Sequence, residues 1–230
     1  MAAAHALVLG GVSLGVAYTL GAQALTRLRG VVRTGPPVPQ VALTFDDGPH
    51  PVYTSRVLEI LAEHRAGATF FLIGRHAEEH PELVRRILSE GHALGSHTYG
   101  HRHFWHLGPR ATREEILRGH RVVEAISGGP VRFFRPPWGA VNLAALAVCR
   151  KEGLVPVLWS VRGEGYRWRP SWEEMARVVV RRAHPGAIVN LHDRGGFPDT
   201  PERVLRALPR ILAGLRARGL LPVTLADLLG

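Results

Sequence analysis

From Gln40 onward, short apolar runs alternate with longer amphipathic stretches, and this alternation restricts the chain more than any other feature. Val41 to Phe45, Ala68 to Ile73, Ala93 to Ser96, Val131 to Phe134, Val155 to Trp159 and Ala187 to Leu191 have the length and apolar content of buried strands. Residues 53–64, 81–90, 112–127, 142–152, 172–183 and 201–218 read as the helices between and after them. Val57, Leu58 and Leu61 mark the apolar face of the first, and Pro81 takes the favoured first turn of the second. Thr112-Arg113-Glu114-Glu115 has the form of a capping box. Strand and helix repeated this often predict parallel strands covered by helices, either barrel-like or doubly wound.

The first residues follow another rule. From Ala2 to Thr26 there is no Asp, Glu, Lys or Arg, and about 20 apolar residues suffice to cross a bilayer. Residues 1–29 therefore read as a hydrophobic helix, either a membrane anchor or a signal, with membrane contact through residues 2–26. Ala22-Gln23-Ala24 has the small-x-small form of a cleavage site. A buried Gly/Ala-rich helix is the remaining alternative. Arg27, Arg29 and Arg33 follow the apolar run, which under the positive-inside rule holds the rest in the cytoplasm. The cell envelope is the expected location, with the side of the membrane open. Residues 30–39 contain Gly35-Pro36-Pro37-Val38-Pro39, which breaks any helix and predicts a stiff linker. The domain is then 40–230.

The formal charge is +10, carried almost wholly by arginine, with Lys151 the single lysine. These arginines are scattered, not gathered into a stripe with interleaved aromatics, so a nucleic-acid partner is not expected. The balance suits an anionic lipid or cell-wall polymer. Cys149 is the one cysteine, which excludes an intrachain disulfide and a cysteine-rich metal site. A monomer is expected.

Four polar clusters lie at the predicted C-terminal ends of strands, where active sites of parallel α/β folds gather. Asp46-Asp47-Gly48-Pro49 pairs two carboxylates at a forced turn, although an Asp-Gly turn alone is ordinary. His97-Thr98-Tyr99-Gly100-His101 sets two histidines four apart, able to share a metal if the segment turns helically. Because His103 and His106 follow, a plain histidine-rich loop is the competing reading. Arg135-Pro136-Pro137-Trp138-Gly139 is a rigid loop that can place an arginine and an aromatic wall. Leu191-His192-Asp193 offers a histidine suited to acid work near neutral pH.

In this order, over about Gln40 to Leu229, these clusters resemble the motifs of the polysaccharide deacetylase family, also called the NodB-homology or carbohydrate esterase family 4 domain. Ala68 to Gly74 is similar to its second strand. The resemblance implies an α/β fold, a deformed (β/α) barrel with fewer than eight units. It implies one divalent metal ion, usually zinc, with cobalt, nickel or manganese as substitutes, held by Asp47, His97 and His101. Asp46 would be the general base, His192 the general acid, and Arg135 the residue that tunes the base. Leu191 would shape the pocket for the acetyl methyl, and the Trp138 backbone N–H would help hold the oxyanion. Pro137 and Tyr99 complete the implied substrate-binding set. The partner would be a carbohydrate bearing N-acetyl groups: peptidoglycan, another N-acetylglucosamine polymer or a lipid-linked sugar.

The chain departs from the family in the fourth motif. Where the family usually has Asp-x-x-Asp-Trp, Trp159-Ser160-Val161 leads into Arg162-Gly163-Glu164-Gly165-Tyr166. Arg162 and Gly165 replace the two aspartates, so Arg135 lacks the partner the resemblance gives it. Glu164 or another carboxylate is expected to contact Arg135 instead. Trp159, Tyr166, Trp168 and Trp172 either stack on sugar rings or belong to core and rim. Two alternatives stand beside deacetylation: a carbohydrate-binding protein that has lost catalysis, and the same chemistry on a non-carbohydrate amide.

Overall fold

Eight short strands form one parallel sheet in a computed structural model that describes residues 16–25, 30–164, 169–197 and 199–230. They are β1 (Gln40–Asp46), β2 (Thr69–Leu72), β3 (Ala93–Ser96), β4 (Phe133–Phe134), β5 (Val155–Pro156), β6 (Val161–Arg162), β7 (Ile188–His192) and β8 (Leu221–Val223). Their order is β5-β4-β3-β2-β1-β7-β6, with β8 paired to the first residues of β1. The sheet curls into a partial barrel with helices outside it, the deformed barrel expected. The unit count falls short of eight because β5 runs directly into β6 with no helix between them.

β1 is the centre of the sheet, with six of its seven residues buried. Its Val41, Leu43 and Phe45 face the helical layer, where they join Leu58, Leu61, Val204, Leu208 and Ile211 in the main core. The intervening Thr44 and Asp46 face the barrel interior, as strand alternation requires. Central β1 thus sends one stripe to the core and the other to the site.

The predicted helices and strands are present with small shifts at their ends, and three local readings change. The capping box at Thr112 is absent: the helix runs Pro109–Ser127 and begins after Gly108 with Pro109 in its first turn. Thr112 is buried inside it and accepts a hydrogen bond from Asn142, 2.9 Å away, while Glu115 accepts one from the Gly100 N–H. The two histidines do not share a helix face. Thr98 (φ 67°) and His101 (φ 57°) turn the segment through left-handed conformations instead. The expected linker is not a spacer either. Val32 pairs with Val157, Thr34 pairs with Ala187, and Val32 and Val38 pack on a secondary core around Phe71 and Leu225.

Among the described residues, and apart from the short 3-10 turns Phe104–His106 and Pro137–Gly139, four elements carried no sequence expectation: the helices Gly74–Glu79 and Leu225–Leu229, and strands β6 and β8. Each is short, so periodicity gives little signal. The N-terminal hydrophobic helix falls largely outside the described residues. Within them, Ala17–Gly21 forms a π-helical turn that continues as Ala22–Leu25. No helix among the described residues is long and apolar enough to cross a membrane.

Candidate active site

The C-terminal ends of the strands open into a cavity of about 380 Å³. Asp46, Asp47, His97, His101, Trp138, Trp159, Arg162, Glu164, Asn190 and His192 line its interior, with Gly195, Gly196, Phe197 and Thr200 toward the rim. Six different strand ends contribute, although the chain separates Asp46 from His192 by most of its length.

Asp46 and Asp47 diverge by a backbone device. Asp46 ends β1, and Asp47 follows in a left-handed conformation (φ 74°) that turns its side chain into the same cavity. The Asp47 carbonyl accepts from His76 Nδ1 at 2.9 Å, which fixes that turn. Gly195 approaches so closely that a Cβ there would lie 2.3 Å from Asp47 Oδ2. His97 follows β3 and is 2 % exposed. His101 is brought back beside it by the turn at Thr98, whose hydroxyl accepts from the His101 N–H at 3.1 Å. The turn is backed by Gly119, where a Cβ would collide with the Thr98 carbonyl carbon at 2.2 Å.

Ligand atoms of Asp47, His97 and His101 all lie within 4.8 Å of one another. Their chemistry fits a divalent cation. Asp47 Oδ1 is buried and accepts no hydrogen bond, although His101 Nε2 and His97 Nε2 lie 3.1 and 3.4 Å away. His97 Nδ1 is 2.7 Å from the Arg135 carbonyl, so Nδ1–H donates there and the Nε2 lone pair faces the cluster. Burial opposes ionisation of Asp47, but the close imidazoles and the His192 charge outweigh it and hold the carboxyl well below its usual range. One carboxylate and two imidazoles leave room for water or substrate, as catalytic sites of this ligand type do.

Arg135, entirely buried, fastens Asp46 to the sheet. Its Nη1 donates to Asp46 Oδ1 at 2.6 Å and to Thr44 Oγ1 at 2.7 Å; Nε and Nη2 donate to the carbonyls of Val157 and Leu158. Its guanidinium lies 3.9 Å from the Phe71 ring centroid. Burial pulls the Arg135 pKa below its ordinary value, and Asp46 opposes that pull. The other Asp46 oxygen accepts from Asn190 Nδ2 at 2.7 Å.

Of the partners expected for Arg135, Glu164 or another carboxylate, the structure gives the second: Arg135 pairs with Asp46 itself, while Glu164 pairs with His192. Glu164 Oε2 is 2.6 Å from His192 Nδ1, and Glu164 Oε1 accepts from the His192 backbone N–H at 3.0 Å. Burial pushes the imidazole down, but the Glu164 charge and hydrogen bond, helped by Asp47 and Asp46, raise its pKa to about 9. The neighbouring Asp193 is buried with its Oδ2 2.5 Å from the Thr54 hydroxyl, and burial pushes its carboxyl up to about 7.

Three of the residues expected around the substrate lie elsewhere. Leu191 is fully buried in the main core, on the face of β7 opposite Asn190 and His192. Pro137 is buried in the 3-10 turn Pro137–Gly139 and does not line the cavity. Tyr99 faces outward, donating to Glu78 at 2.9 Å with Arg118 over its ring. Trp138 does face the cavity, 49 % exposed and tilted against His101 with centroids 4.2 Å apart. Of the aromatic run, Trp159 lines the cavity, whereas Trp172 packs against the core beneath Arg210. Tyr166 and Trp168 lie outside the described residues. Asn190, His76 and Thr44 were not anticipated. Asn190 left a trace, a polar residue two before His192 and hence on the same strand face.

The sequence profile of the family described as polysaccharide deacetylase matches residues 33–157. A chitooligosaccharide deacetylase of Sinorhizobium fredii is 37% identical over 204 residues, covering 85% of this chain and 94% of the relative. A peptidoglycan-N-acetylglucosamine deacetylase of Bacillus cereus is 37% identical over 190 residues, covering 82% and 87%. In three dimensions, a crystal structure of a peptidoglycan N-acetylglucosamine deacetylase bound to a hydroxamate-type benzamide superposes with a TM-score of 0.82 and 30% identity, covering 90% and 96%. A carbohydrate esterase family 4 pseudoenzyme of Bacillus anthracis gives 0.77 and 28%, covering 86% and 68%. Matching profile, relatives along nearly their whole length and a shared partial barrel lead to one conclusion: the chain belongs to the polysaccharide deacetylase family.

Proposed function

We propose that the protein is a metal-dependent hydrolase that removes N-acetyl groups from an N-acetylglucosamine-containing carbohydrate: peptidoglycan, a related polymer or a lipid-linked sugar. One observation carries this reading: Asp46 and His192, each tied to an oppositely charged partner, flank the Asp47–His97–His101 cluster in a single cavity. Asp47, His97 and His101 would hold the ion, with zinc the expected metal. A divalent cation there supplies Lewis acidity toward a carbonyl and acidifies water.

The chain's own residues divide the remaining work. Asp46, held as a carboxylate between Arg135 and Asn190, accepts the proton of the attacking water. The backbone N–H of Trp138 donates to the oxygen that gains charge as the amide carbonyl becomes tetrahedral. His192, kept protonated by Glu164, gives its proton to the leaving amine, which departs as a free amino sugar with acetate as the second product. Trp138, Trp159 and Phe197 give the cavity apolar walls suited to sugar rings. The uncharged residues 2–26 support contact with the membrane and a place in the cell envelope.

The relation to a pseudoenzyme and the altered fourth motif favour a second reading, carbohydrate binding without turnover. Incubation with N-acetylglucosamine oligomers and zinc separates the two. Acetate release abolished by chelator supports the deacetylase; oligomer binding with metal bound and no acetate released overturns it.

A further inference from the structure

We infer that Gln23 is a positioning residue for the loop carrying Trp138, so that the N-terminal segment braces the active-site wall from behind. The inference rests on the deacetylase reading for its effect on rate, though not for the contact itself. Gln23 Nε2 donates to the Gly139 carbonyl at 2.9 Å, and Gln23 Oε1 accepts from the Val141 N–H at 2.9 Å. One amide side chain thus meets an acceptor and a donor two residues apart, as a neighbouring strand would. Its neighbour Ala22 is fully buried, and the turn Ala17–Gly21 packs against the helix Leu143–Glu152 that follows the loop.

The loop needs an external hold. Trp138 (φ 55°, ψ 10°) and Gly139 (φ 68°) are consecutive left-handed residues, an arrangement that costs a bulky side chain strain and persists only when the surroundings impose it. Within the loop, Gly139 N–H bonds to Pro136 O and Ala140 N–H to Pro137 O, which closes the turn but leaves Gly139 O and Val141 N–H to other partners. Ala140 and Val141 are buried, where an unsatisfied backbone group is costly. Gln23 satisfies both groups and fixes the direction of the two peptides that follow Gly139. Because both contacts are to main chain, they depend on Gln23 and not on the side chains at 139 and 141. Ala22-Gln23-Ala24 also reads as a cleavage site, and the latch operates only in a chain that keeps it.

The rate effect has a definite form. A donor to the oxyanion acts on charge that exists only in the transition state, so its misplacement lowers kcat and leaves KM nearly unchanged. In the full-length zinc-loaded protein, Gln23→Leu should lower kcat for acetate release from N-acetylglucosamine oligomers by about tenfold, within the ~100-fold that a 1 Å misplacement costs. KM should move by less than about twofold. Hydrogen exchange at the Val141 amide should speed up while exchange in β1 and β7 stays as in the parent. Gln23→Met removes both the donor and the acceptor with an unbranched side chain of similar length, so the same changes are expected; it carries the test if Gln23→Leu does not fold. Unchanged Val141 exchange overturns the latch, and faster exchange with unchanged kcat overturns its positioning role. No acetate from the parent sinks the deacetylase reading instead, while Val141 exchange still decides the contact.

Discussion

The two halves of the cavity hold their charged groups by different means. On one side, Asp46 is gripped by Arg135 and Asn190, and Arg135 is anchored to Thr44 and two backbone carbonyls. These residues come from β1, β7 and the end of β4, the interior of the sheet. On the other side, His192 depends on one residue, Glu164, which reaches both its ring and its backbone from the segment after β6 at the sheet edge. Asp46, the proposed base, is over-determined, and His192, the proposed acid, is held by a single clasp. Charge placed by several core elements resists local change, whereas charge placed by one edge residue can be moved or exchanged between sequences.

Perturbing each half in turn tests this asymmetry. The largest effect on rate is expected from Asp46→Asn, which keeps the shape and removes the proton acceptor: kcat should fall about a thousandfold, and stability should fall too, because the buried Arg135 loses its carboxylate. Arg135→Met comes next, since it leaves Asp46 buried without its cation. About 3–5 kcal/mol of stability should be lost, seen by calorimetry as a melting temperature lower by about 10 °C.

Glu164→Gln should act on the alkaline limb of the kcat/KM profile. His192 stays protonated up to about 9 beside Glu164, so loss of that charge should bring the alkaline limb down in pH and reduce kcat by about 10- to 100-fold. A bound cation lowers this limb in both proteins, so parent and variant must be compared at equal metal loading. Stability follows with a fixed sign. The folded pKa lies above the ordinary 6.5, so the His192–Glu164 contribution is full below about 6.5 and is lost as pH rises through about 9. Urea titrations of the metal-free parent should show that loss, and those of Glu164→Gln should not. If Glu164→Gln instead lowers the melting temperature as far as Arg135→Met, the asymmetry is wrong. Tyr99→Phe should be nearly silent, with kcat/KM within about twofold, because an exposed pair with Glu78 contributes little.

The fold and most of the proposed site are legible in the sequence because they rest on local pattern. Strand-length apolar runs and the motifs at their ends placed Asp46, Asp47, His97, His101 and His192 at one mouth, where the structure brings them together. What was lost depends on direction more than position. Tyr99 and Leu191 belong to the right segments, but Tyr99 follows the left-handed Thr98 outward and Leu191 falls on the core side of β7. The partners of Arg135 and Glu164 could not be paired from spacing, since three-dimensional proximity joins residues 89 and 28 positions apart. Gln23 looked like the middle of a cleavage site because nothing local announces a contact 116 residues away.

The register between β1 and β7 has a further consequence. Asp46 and His192 are direct partners across adjacent parallel strands, and neighbouring strands are spaced about 4.8 Å apart. In the proposed mechanism, proton uptake and proton delivery are thus set at the two ends of one rung, and their separation cannot change unless that ladder opens. On the deacetylase reading, an acetamide must adapt to a gauge of fixed width. Variation in which sugar is accepted is left to the loops around it, while the stroke of the reaction stays the same.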